Sequence, residues 1–158
     1  MKKVLLVFLS STTAIESADT PSLDEVAQKG ETGLLELDAD LAVEAQRAGF
    51  AAVAPAQALA ALEEHHRVFT RLDADSAAAL EEIDRHFFAP LARTLRLADQ
   101  VIAVAGGTGA GPLPLLITSD GLEPEGALEF GEREAARGRL GKLRGSELVP
   151  RLIEIAKS

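Results

Sequence analysis

Three sets of residues have the types and spacing for chemistry. The first is a row of hydroxyls, Ser10, Ser11 and Thr12, directly after the apolar run 4–9. At a strand end such side chains hydrogen-bond a ligand or, more often, satisfy a turn. The second is Gly106, Gly107, Thr108 and Gly109, within "VIAVAGGTGAGPLPLLIT". A phosphate-cradling loop leads into a helix N-terminus, whose amides hold the anion. Here an apolar run follows instead, and the lysine of a P-loop is missing. A tight turn between two neighbouring strands is the plainer reading. The third set is Asp73 and Asp75. They are the only candidates for a metal ion or for acid–base work, and weak ones. Asp75, just before "SAAAL", is better explained as a helix N-cap.

The remaining polar residues argue against several classes of chemistry. There are three histidines and no cysteine. Thiolate nucleophiles, thiolate metal sites and disulfides are therefore excluded, in keeping with a reducing, cytoplasmic setting. His65 and His66 are adjacent, so their side chains diverge in an extended segment. No Ser-His-Asp spacing stands out. The net charge is −9, and the chain has no Trp or Tyr, so a nucleic-acid surface is not expected. Arg133, Arg137, Arg139, Lys142 and Arg144 form a modest basic cluster, read as a solvated helix and loop rather than an anion site. The opening lysines and the run 4–9 superficially resemble a signal peptide. That run is too short for one and reads as a buried first strand. No stretch is long enough to span a bilayer.

These residues hang on alternating apolar runs and alanine-rich helical stretches. The pattern predicts strands over 2–9, 32–37, 50–54, 67–72, 100–105 and 113–118. Helices are predicted over 20–30, 40–48, 55–64, 75–95 and 146–157. Thr20 stands where a cap would, Pro21 suits a first turn, and Gly49 suits a helix end. Such alternation makes βαβ units: an α/β fold with a mostly parallel sheet and helices on both faces, here as a single domain over 1–158. Ligands of such sheets bind at the carboxyl ends of the strands, where the three candidate sets fall.

Several segments, in order, resemble one family. "ADTPSLDEVAQKGETGLL" carries a Thr-Pro-x-Leu-Asp followed by Gly-x-x-Gly-Leu. "AAALEEIDRHFFAPL" carries an Ile-Asp followed by Ala-Pro-Leu. The tail from Gly111 carries Pro-Leu-Leu-Ile, Phe-x-Glu, Ala-Ala-x-Gly, Leu-Gly and Arg-Gly, then a last stretch bearing Pro150. In this order and spacing the chain resembles the archaeal-type cofactor-independent phosphoglycerate mutases of the alkaline phosphatase superfamily.

That resemblance implies an alkaline-phosphatase-like core, two divalent metals held by Asp and His, and a Ser or Thr nucleophile. The chain departs from the pattern where the chemistry sits. Leu9-Ser10-Ser11 replaces the family's metal-binding Asp-Gly after the first strand. The connection 106–111 holds neither the Asp-His nor the later His. Asp73 and Asp75 persist where the family adds a His-Gly-Asp, and the nucleophile-bearing insertion that caps the site is missing. The expectation is a divergent member, without the cap, that has lost two-metal phosphoryl transfer and acts by binding. It would need no cofactor, and would associate with itself as a homodimer or with another protein. Two alternatives stand beside it: a small phosphomutase or phosphatase using Mn or Zn, and a structural subunit of a homo-oligomer.

Overall fold

The computed structural model describes residues 1–11, 15–107, 112–120, 122, 130–131 and 135–157. Within them seven strands form one sheet: β1 (Lys3–Ser11), β2 (Glu31–Glu36), β3 (Ala51–Ala52), β4 (Arg67–Ala74), β5 (Gln100–Gly107), β6 (Leu113–Thr118) and β7 (Gly141–Arg144). Their order across the sheet is β3-β4-β1-β5-β6-β2-β7. β1 runs parallel to β4 and β5, β3 to β4, and β2 to β7. Only β6 is reversed, antiparallel to both β5 and β2. The fold is α/β with a mostly parallel sheet, as the alternating pattern requires.

Period-two alternation along the strands sends side chains to two cores. On the first face, Leu5, Val7 and Leu9 of β1 and Ile102 and Val104 of β5 pack against α1 (Pro21–Gln28), α3 (Ala58–Glu64), α4 (Ala77–Ile83) and α5 (Ala89–Thr94). On the second, Val4, Leu6, Val101, Ala103 and Ala105 meet α2 (Leu41–Arg47) and α6 (Gly145–Lys157). β1 and β5 are covered on both sides, which explains why their sequences are almost unbroken apolar runs.

The chain departs from the sequence reading at four places. The long helix expected over 75–95 is interrupted by a π-helical turn, Asp84–Phe88, where the Ala89 amide donates to the Asp84 carbonyl. Pro90 follows at once; having no N–H, it cannot continue an α-helical ladder, and the widened turn accommodates it. Asp75 is not the cap of α4. Ser76 is, its Oγ accepting from the Ala79 amide at 3.1 Å. β4 runs on to Ala74, so Ser76 is the residue that stands directly before the first helical position. Thr20 occupies the N-cap position of α1 but makes no side-chain cap. That work falls to Asp84, whose Oδ1 and Oδ2 accept from the amides of Leu23 (2.7 Å) and Ser22 (3.0 Å). Finally, β7 is a short charged strand where a loop was expected.

At the start of α6 the capping is also remote. The Asp38 carboxylate accepts the Ser146 amide and the Ser146 hydroxyl, each at 2.9 Å. These bonds, the amide first, hold the Asp38 carboxyl below the usual range. Among the described residues no helix is long and apolar enough to cross a membrane.

Candidate functional site

The carboxyl ends of β1, β4 and β5 meet at one edge of the sheet, and the register fixes what they present. Ser10 lies opposite Asp73 on β4 and opposite Gly107 on β5, and Ser11 opposite Ala74. Three of the candidate sets thus converge. Alternation then divides them. Ser10 follows Val4, Leu6 and Phe8 on the second face, while Asp73 follows Phe69 and Arg71 on that same face. Ser11 points into the first face and is buried. Thr12, Thr108 and Gly109 lie outside the described residues.

Asp73 is committed to a neighbour. Its Oδ1 accepts from Arg71 Nε at 3.0 Å, and both side chains are mostly exposed. The Arg71 guanidinium also lies over the Phe8 ring, 5.7 Å from its centroid. An ion pair so open to water is worth less than about 1 kcal/mol. Asp73→Ala is therefore expected to leave stability within that margin, as read from the urea midpoint; a larger loss would mean that Asp73 holds the edge together. Asp75 lies two residues further on, exposed beyond the end of the strand.

Gly106 has a packing reason to be glycine. A Cβ there would stand 2.3 Å from the Leu9 carbonyl oxygen and 2.6 Å from Leu9 Cβ. β5 continues through Gly107, so the glycine run begins inside the strand rather than in the turn. β5 and β6 are antiparallel neighbours, as a strand-to-strand connection demands.

Beside this edge, on the second face, opens a pocket of about 270 Å³. Phe8 and Phe69 line it from the sheet, Leu37 and Leu41 from the β2–α2 region, and Arg71 with Asp40 supplies the charge. Leu37 and Val43 stand exposed nearby, at 42% and 38%. A mostly apolar concavity with a few polar groups at its edge is the usual form of a binding site. The sequence reading passed over Phe8, Phe69 and Arg71. Their signal was the alternation Phe69-x-Arg71-x-Asp73, which places an arginine on the same face as the candidate acid.

His65, His66 and His86 are exposed, and among the described residues no group of three His, Cys, Asp or Glu could hold a metal ion. In the basic cluster, Arg139 pairs with Glu31 (3.7 Å), Lys142 with Glu36 (3.6 Å) and Arg144 with Glu147 (3.4 Å). These cations are balanced across β2, β7 and α6.

The fold is the α/β, alkaline-phosphatase-like arrangement found in a cofactor-independent phosphoglycerate mutase. The solved mutase of Thermoplasma acidophilum superposes on 63% of this chain and 27% of its own, with a TM-score of 0.50 and 24% identity. The PH0037 protein of Pyrococcus horikoshii matches more fully: TM-score 0.82 over 99% of this chain and 97% of that one, at 15% identity. No family model matches the chain. In sequence, the chain is a partial homologue of the archaeal 2,3-bisphosphoglycerate-independent phosphoglycerate mutases. It is 34% identical over 88 residues to that of Thermococcus gammatolerans, covering 50% of this chain and 21% of the relative. It is 38% identical over 68 residues to that of Pyrococcus furiosus, covering 37% and 16%. The chain thus spans about a fifth of the length of these curated relatives.

Proposed function

We propose that this phosphoglycerate mutase-like chain acts by binding rather than by two-metal phosphoryl transfer. The observation that carries the reading is the carboxyl edge itself. There Ser10 faces an Asp73 already paired with Arg71, and an apolar pocket opens beside them. Two-metal catalysis needs several fixed carboxylates and imidazoles to hold two cations about 4 Å apart and clamp both reacting oxygens. Among the described residues the edge offers two exposed aspartates, Asp73 and Asp75, with Ser10 and Ser11, and these do not supply that donor set. The pocket, with the exposed Leu37 in its lining, suits an apolar group of a protein partner, either another protein or a second copy of the chain.

Melting the protein with and without Mn²⁺, Zn²⁺ or Mg²⁺ tests this. A bound ion at about a hundred times its dissociation constant adds roughly 2.7 kcal/mol, about 8 °C for a domain of this size. The expected result is no rise with any of the three. A rise that disappears in Asp73→Ala would overturn the reading in favour of a metal-dependent phosphomutase or phosphatase.

A further inference from the structure

The opposite edge of the sheet carries a larger concavity that the carboxyl-edge reading does not use. It is a groove of about 900 Å³, bounded by the start of β1, the end of α3, the α5–β5 connection and the end of α6. Its apolar lining includes Leu59, Leu62 and Ala156, and its cations are Lys2, Lys3, Arg96 and Lys157. Lys2 is engaged with Asp120 and Ser119. Lys3 Nζ donates to the Glu63 backbone carbonyl at 2.9 Å and makes no ion pair among the described residues. The side chains of Arg96 and Lys157 make no hydrogen bond or ion pair among the described residues. In the basic cluster around β7, by contrast, cations stand beside acids.

We infer that this amino-edge groove binds a small amphipathic anion: one carboxylate- or phosphate-type head on an apolar body. The size fits, since pockets for small molecules run to about 300–1,000 Å³. The charge selects the head. Asp99 and Glu63 also line the groove and offset two of the three uncommitted cations, Lys3, Arg96 and Lys157. The balance is weakly positive, enough for one anionic group and too little for a polyanion. The net charge of −9 does not forbid this, because at physiological ionic strength charges beyond about 8 Å are screened. Long Lys and Arg stems also cover apolar lining while their heads reach the rim.

Octanoate is a suitable probe, with octanol as its uncharged counterpart, read by amide shifts in two-dimensional NMR. Saturable shifts are expected at Lys3, Leu62, Arg96, Asp99 and Lys157, with octanol at least tenfold weaker. The double variant Arg96→Glu, Lys157→Glu should bind octanoate at least tenfold more weakly. Both residues are exposed, and an unchanged melting temperature would show the variant folded. Shifts centred instead on Phe8, Leu41 and Arg71, equal binding of octanol, indifference to the charge reversals, or shifts that never saturate would each overturn the inference. None of these outcomes depends on whether the carboxyl edge binds a metal.

Discussion

Gly106→Ala is expected to lower stability by about 3 kcal/mol, at the upper end of what an added methyl group costs in a close-packed core. The new Cβ would lie 2.3 Å from the Leu9 carbonyl oxygen, inside any van der Waals separation. Neither partner can yield. Leu9 and Gly106 are directly paired in the two central strands, and both faces of the sheet are covered at this point. The loss should appear as a lower urea midpoint at unchanged slope, which marks a change in stability rather than in the unfolded ensemble. A variant as stable as the parent would free Gly106 from its packing role and return the glycine run to consideration as a ligand loop.

The other large effect concerns Asp84, which is 1% exposed and joins the π-helical turn to the first turn of α1. Asp84→Ala removes the acceptor of two amides at once, and hydrogen bonds to a charged group are each worth about 1.5–3 kcal/mol. A loss of roughly 3–4 kcal/mol is expected, allowing for partial rescue by water. The pH dependence has a definite sign. Burial raises the Asp84 carboxyl above its ordinary 3.8, outweighing the bonds from Ser22 and Leu23 that lower it, with Asp19 adding a smaller upward push. The folded protein therefore holds this proton more tightly than the unfolded chain. The associated stability is complete below 3.8 and is lost as pH rises through the folded value. The stability of the parent relative to Asp84→Asn, in which no proton titrates, should rise as pH is lowered from 7 towards 4. A relative stability that falls on acidification would mean that the carboxylate, not the acid, is the favoured buried form.

These two residues also show what could be read from the sequence. The alternation of apolar runs and helical stretches gave the α/β class because β1, β5 and β6 are long, apolar and buried on both faces. β7 escaped notice because four residues, "GKLR", two of them charged, carry no period. The helix over 77–94 looked continuous because Leu80, Phe87 and Leu91 keep one face, and the π turn changes the hydrogen bonds without changing that face. The Asp75 cap went to its neighbour Ser76, since capping depends on one residue of register that propensity does not resolve.

The shared motifs turn out to hold the framework together. Asp84 of the Ile-Asp pair caps the helix that opens with Thr20-Pro21, and Asp24 of that stretch accepts the Phe130 amide at 3.0 Å. Gly138 of Ala-Ala-x-Gly lies so close to Thr32 that a Cβ would stand 2.0 Å from its carbonyl oxygen. Such residues fix where backbones touch, and so they report ancestry and fold. The pocket by contrast rests on Phe8, Phe69 and Arg71, ordinary strand residues until register brings them side by side.

The reversed strand β6 has a consequence for how the chain is made. β2 pairs with β6 and β7 and with no other strand, so Glu31 waits for Ile117 and Gly33 for Gly141. At roughly 5–20 residues per second of synthesis, β2 emerges from the ribosome several seconds before either partner exists. Throughout that interval its backbone groups lack both of their ladder partners. Charges at its ends, Glu31 and Glu36, disfavour pairing of this segment with the wrong chain. Three of the seven strands, β6, β2 and β7, can therefore close onto the sheet only after residues 113–144 have been made.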